Sequence, residues 1–173
     1  GFVKGLCAPK TEGVNFSRKY IDALQDAAKV YGAKGLAWMK VGANNALSGG
    51  VSKFFVGLEE EIIQEFNAKE GDLILIVAHE SWKKCCASLG AVRSKIGKDL
   101  NLIRAGYEFC WIIDFPLFEY NEDENHWEAA HHMFSMPQTE YLDTLESDPG
   151  AVKGDLYDLV LNGYEVASGS IRI

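Results

Sequence analysis

The chain has 173 residues, 47% hydrophobic and 12% aromatic, enough to bury a sound core as one domain or two small ones. It carries a net charge of −8, with no run of 18 apolar residues and no basic-then-apolar leader, which argues against a membrane span or a signal peptide. Four cysteines (Cys7, Cys85, Cys86, Cys110) without C-x-x-C spacing read as reduced thiols of a cytosolic protein and against a zinc site.

In chain order, residues 2–8 read as a strand. Asn15 or Ser17 then caps a helix whose apolar positions are Tyr20, Ile21, Leu24, Ala27, Ala28 and Tyr31, closed by Gly32. Residues 35–41 read as a strand and 42–50 as a polar loop. Residues 59–66 form a short helix with Glu59, Glu60 and Glu61 in its first turn, where the helix dipole favours them. A near-continuous apolar strand covers 72–78, and Ser81 caps a basic helix running to about Lys98. This makes a first α+β unit of about 100 residues.

The composition changes near 101–106. Residues 107–118 read as one strongly apolar strand, with Pro116 marking its end or an edge. An acidic turn follows at 121–125. Residues 127–132 lead into a loop at 133–137, 138–145 form a short helix, and 148–150 form a turn. Two strands separated by an Asn162-Gly163 turn close the sequence. The charge also divides here: residues 1–106 carry 15 Lys/Arg against 11 Asp/Glu (+4), and 107–173 carry 2 against 14 (−12). Either each half has a solvated face, or a first module tolerates polyanions and a second awaits basic residues from elsewhere.

The glycine clusters at 32–35 and 48–50 lack phosphate-loop spacing and read as turn glycines. His131-His132 is the histidine pair of most interest. In a regular strand the two side chains would alternate, so one can face a ligand carboxylate while the other packs. Asp158 and Glu165 are the strongest carboxylate candidates, a hard-oxygen pair suited to Mg²⁺ carried with nucleotide phosphates. Seven residues apart, they fall on opposite faces of a straight strand, so the Asn162-Gly163 turn or a bulge must restore a shared face. Arg172 offers either a two-pronged grip on a carboxylate or a salt bridge within the acidic half.

The wording of several segments is more specific than their composition. Phe16-Ser17-Arg18-Lys19, the run Tyr31–Trp38, Gly71-Asp72-Leu73-Ile74 and Leu89-Gly90-Ala91-Val92-Arg93 resemble the GAD insertion domain of bacterial-type aspartyl-tRNA synthetases. The run Trp111–Glu119, His131-His132 and the closing segment Tyr157–Ile173 resemble the class II catalytic core that resumes after that insertion. The implied architecture is α+β: a GAD-like domain over 1–104, followed by part of a class II antiparallel sheet over 105–173. The resemblance implies that His131 and Arg172 contact aspartate and that Glu165 contacts ATP. It makes Asp158 and Glu165 the Mg²⁺ carboxylates and requires no covalent protein nucleophile.

Two departures stand out. The usual His-His-Pro-Phe-Thr reads His131-His132-Met133-Phe134-Ser135, and the usual glycine triplet reads Ala167-Ser168-Gly169. The implied parent is a cytoplasmic homodimeric ligase that joins L-aspartate to tRNA-Asp, with tRNA-Asn left open. Its other motifs are not in this sequence, so the isolated chain is expected to be an inactive fragment. The alternative is a non-catalytic tRNA-binding or interaction module of the GAD type.

Overall fold

A computed structural model describes residues 1–121 and 123–173, so Glu122, inside the expected acidic turn, lies outside the described residues. The chain divides into two compact units, Gly1–Arg104 and Ala105–Ile173. Helices and antiparallel sheets occur together, an α+β architecture.

The first unit contains β1 (Phe2–Ala8), α1 (Arg18–Val30), β2 (Ala37–Val41), β3 (Leu47–Ser48), α2 (Glu59–Glu65), β4 (Leu73–His79) and α3 (Trp82–Asp99). The four strands form one antiparallel sheet in the order β1-β4-β2-β3. β4 is central, which explains its unbroken apolar run. Leu73, Leu75 and Val77 join a core with Ile21, Leu24 and Ala28 of α1 and Cys85, Val92 and Ile96 of α3. The alternate residue Ile74 packs instead with Met39, Val41 and Ile63, the last from α2. Both faces of the strand are therefore covered, and period-two alternation sorts its side chains between two cores.

Local chemistry sets the helix ends. Ser17 Oγ accepts from the Tyr20 N–H at 3.2 Å, and Ser81 Oγ accepts from the Lys84 N–H at 3.4 Å. Gly32, just past α1, has φ of +95°, a left-handed exit that costs glycine little. The polar loop expected over 42–50 contains a structured piece, because β3 pairs with β2 through Lys40↔Ser48 and Val41↔Leu47.

The second unit contains β5 (Phe109–Ile112), β6 (Phe118–Asn121), β7 (His126–Ala129), β8 (Leu156–Leu161) and β9 (Tyr164–Ser170). A three-stranded antiparallel sheet runs β5-β8-β9, and β6 and β7 form a separate hairpin. The strand expected over 107–118 is shorter, Phe109–Ile112, and Phe118 already begins β6 in the other sheet. Asp114 adopts φ of +61° and Pro116 cannot donate a ladder hydrogen bond, so the chain turns between them. The helix expected over 138–145 is a 3₁₀ segment, Thr139–Thr144.

Backbone bonds stitch this unit together around a small interior. Leu117 N–H donates to Val152 O at 2.9 Å and Gly154 N–H to Phe115 O at 2.9 Å, and the side chains of Leu117 and Val152 are buried. Asn162 and Gly163 have φ of 50° and 87°, the two left-handed residues of a tight hairpin turn. The Asn162 amide also accepts from Glu108 N–H at 2.9 Å and donates to Gly106 O at 3.0 Å, tying the turn to the approach to β5.

Candidate functional site

A cavity of about 400 Å³ opens over one face of the β8–β9 hairpin. Its walls include His131, Asp158, Glu165 and Arg172, together with Phe115, Phe134, Ser168 and Ser170. The strand register explains how these groups meet. Asp158 pairs with Ser168 and Leu156 with Ser170, and residues directly opposite in an antiparallel pair share a face. Continued regularly, this pairing would point Glu165 to the other side. Between Leu159 and Val160, however, the register shifts: Leu159 faces Ala167 while Val160 faces Glu165, leaving Val166 as an extra residue. That bulge rotates Glu165 onto the face occupied by Asp158 and Ser168.

Gly169 lies directly opposite Tyr157 in the strand pairing. A Cβ there would lie 2.5 Å from the Tyr157 hydroxyl oxygen and 2.7 Å from its ring. Tyr157 in turn meets Trp111 edge-to-face at 5.4 Å. Of the residues where a glycine triplet is usual, the third remains glycine, and a side chain there would have to displace the end of the Tyr157 ring.

Arg172 extends the alternation beyond β9. The segment 134–136 runs antiparallel to 171–173, with Ser135 opposite Arg172, Met136 N–H donating to Ile171 O at 2.8 Å and Ile173 N–H to Phe134 O at 3.1 Å. The guanidinium carbon lies 4.2 Å from the centroid of the Phe134 ring. Among the described residues Arg172 pairs with no carboxylate.

The two adjacent histidines each rest on an aromatic ring. His131 meets Phe115 edge-to-face at 4.9 Å, and His132 stacks on Phe134 at 4.8 Å with 10° between the planes. Phe115 follows Asp114, whose carboxylate accepts from Gln138 Nε2 at 3.0 Å and pairs with Lys153 Nζ at 3.1 Å. These two contacts, the Gln138 hydrogen bond first, hold the Asp114 carboxyl below its usual range. Sequence reasoning missed Phe115 and Phe134. Their signal was position alone: one adjoins the break after β5, and the other lies two residues beyond His132.

Chemically, the cavity offers two carboxylates, one guanidinium, imidazole and two serine hydroxyls. Asp158 and Glu165 fit Mg²⁺, which takes one or two carboxylates and completes its shell with water and phosphate oxygens. Among the described residues no three His, Cys, Asp or Glu side chains converge, so a cage built wholly from protein ligands does not fit. The histidines His79 and His126 do not line this cavity. No helix among the described residues is long and apolar enough to cross a membrane.

Known proteins match this chain along its whole length. It is 61% identical over 175 aligned residues to the aspartate–tRNA(Asp/Asn) ligase of Treponema denticola, covering all of this chain and 29% of that protein. It is 52% identical to the ligase of the same name from Treponema pallidum strain Nichols, over 91% of this chain and 26% of the relative. It is 47% identical to the aspartate–tRNA ligase of Macrococcus caseolyticus, over all of this chain and 29% of that protein. The chain thus spans between a quarter and a third of the length of these relatives. A family model described as the GAD domain matches residues 1–89, more than half of the sequence, and the chain belongs to the GAD domain family.

Proposed function

We propose that this chain is a segment of a class II aspartate–tRNA ligase: the GAD insertion domain over 1–104, followed over 105–173 by part of the catalytic sheet. The observation that carries the catalytic reading is the bulge at Val166, which gathers Glu165 and Asp158 onto the cavity face that also holds Arg172 and His131. Arg172 would take the side-chain carboxylate of aspartate with its paired N–H donors, and His131 would face the same substrate. Glu165 would contact ATP.

In the first step a carboxylate oxygen of aspartate attacks the α-phosphorus of ATP. An O–P bond forms, the bond to the bridging oxygen breaks, and pyrophosphate leaves. In the second, a terminal ribose hydroxyl of tRNA attacks the activated carbonyl and AMP leaves. No protein nucleophile is needed, because the gain comes from holding substrates in line and from balancing charge. Bound Mg²⁺, held by Asp158 and Glu165, would supply neutralisation of phosphate charge.

The relatives' names support tRNA-Asp as the acceptor and, for the Treponema proteins, tRNA-Asn as well. The same reading makes the whole protein a homodimer working in the cytoplasm, in keeping with four cysteines that are all free thiols. Aspartate-dependent exchange of pyrophosphate into ATP by the full-length protein tests the proposal. Exchange with aspartate and none with glutamate supports it; no exchange with aspartate overturns it. The 173-residue chain alone is expected to be inactive, since Arg172 is the one Lys or Arg among the described residues that lines the cavity. Losing a single electrostatic donor typically costs about 10²–10³-fold in rate.

A second reading draws on the GAD match and the +4 balance of residues 1–106: a module whose own role is to bind tRNA. A gel-shift titration of residues 1–104 with tRNA discriminates, because a catalytic segment need not retain tRNA by itself.

A further inference from the structure

The Arg172 guanidinium needs support that leaves its donors available. A carboxylate neighbour would hold the side chain but would occupy the N–H groups a substrate requires. Among the described residues Arg172 has no such neighbour. Its guanidinium carbon lies over the Phe134 ring at 4.2 Å. An aromatic face attracts a cation through its quadrupole and takes no hydrogen-bond donor in doing so.

The placement is built into the backbone. Ser135 sits opposite Arg172, and Phe134 immediately precedes it in a turn closed by Ser135 N–H donating to His132 O at 3.3 Å, which leaves the Phe134 ring against the guanidinium. The ring is itself steadied by His132, stacked nearly parallel at 4.8 Å. Met133, where proline is usual, is 85% exposed and contributes little packing, so the aromatic stack rather than a stiff proline fixes this loop beside the cavity.

We propose that Phe134 is a positioning residue that aims the Arg172 guanidinium into the cavity through its ring face, and so sets the enzyme's grip on the aspartate carboxylate. This rests on the ligase reading above. The substrate's grip depends on orientation, so weakening the ring should raise KM for aspartate and leave KM for ATP, bound through other residues, unchanged.

The test uses the full-length ligase in pyrophosphate exchange, with aspartate and ATP varied in turn. Phe134→Leu keeps apolar bulk and removes the π face; it is expected to raise KM for aspartate about fivefold. Phe134→Tyr retains the face and is expected to match wild type. Replacing Phe134 by pentafluorophenylalanine keeps the shape and reverses the charge of the face, so it should reproduce the leucine effect even if Phe134→Leu folds poorly. The inference is overturned if the fluorinated ring leaves KM for aspartate within about 1.5-fold of wild type, or if KM for ATP rises in parallel. A wild-type protein that shows no aspartate-dependent exchange overturns the ligase reading instead. An effect of Arg172→Lys on KM for aspartate without one from either change at Phe134 preserves that reading and rejects the positioning role.

Discussion

Asp72 provides the sharpest stability test in the first unit. Its side chain is buried, 7% exposed, with Oδ1 accepting from the Lys10 N–H at 2.7 Å and Oδ2 from the Lys69 N–H at 2.8 Å. The Cys7 thiol also points at Oδ2, at 3.7 Å. One carboxylate thus closes the loop leading out of β1 onto the loop leading into β4. Asp72→Asn preserves size but replaces an acceptor oxygen with an NH₂ group. One backbone N–H then faces a donor, and the other loses its charge-assisted partner. Leaving a buried donor unmet costs about 1–3 kcal/mol, and losing charge assistance adds about 1, for a total of about 2–4 kcal/mol. In a unit of about 100 residues that corresponds to a fall in Tm of roughly 10–25 °C.

The assay is a thermal melt of residues 1–104 followed by circular dichroism, in which the unaltered segment is expected to unfold in one cooperative transition. A Tm for Asp72→Asn within about 3 °C of the unaltered segment would refute the reasoning. A second readout reports the electrostatics of the same contact. Burial first, and then the Asp72 charge, push the Cys7 thiol up to about 12. Removing the charge should lower that value without restoring it to the ordinary range, so alkylation of Cys7 at mildly alkaline pH should quicken.

On the proposed ligase reading, Arg172→Lys in the full-length protein is expected to cut kcat/KM for aspartate by about 10- to 150-fold, because a point charge cannot reproduce a two-pronged contact worth about 1.5–3 kcal/mol; an unchanged value removes Arg172 from the substrate site. Asp114 should titrate below the usual carboxylate range by NMR, and Gln138→Ala and Lys153→Met should each raise its pKa. A folded-state value held down means that this contact stabilises above the unfolded pKa and is lost as pH falls through the folded one, so the second unit should loosen on the acid side; equal titration in wild type and both variants contradicts this. The 173-residue chain should self-associate through β5, an edge strand on which Phe109 and Trp111 are 61% and 60% exposed. Light scattering should approach twice 19.1 kDa with rising concentration, and a constant monomer mass in a folded sample refutes it.

Much of the first unit was legible from residues alone because its signals are local. Ser17 and Ser81 cap helices whose apolar spacing is itself helical, and an uninterrupted Leu-Ile-Leu-Ile-Val run marks a strand covered on both faces. The Asn162-Gly163 pair marks a tight turn because few other residues accept positive φ twice in succession. The wording of the closing segment drew attention to His131, Asp158, Glu165 and Arg172. What brings them together is not local. Whether Glu165 faces Asp158 or turns away depends on which residue of β8 it pairs with, and that pairing is settled by the bulge at Val166. A single skipped residue reverses a face without leaving a mark in composition or periodicity.

The same holds where expectation and fold differ. The apolar content of 107–118 suits one strand, but Asp114 is held in a left-handed turn by Gln138 and Lys153, residues 24 and 39 positions away. Phe134 reads as an ordinary loop aromatic until the antiparallel contact of 134–136 with 171–173 sets it beside Arg172. Caps, turns and alternation depend on neighbours in sequence, and so the sequence by itself determined them. Registers, breaks and the partners of a guanidinium depend on neighbours in space, which only the tertiary structure decided.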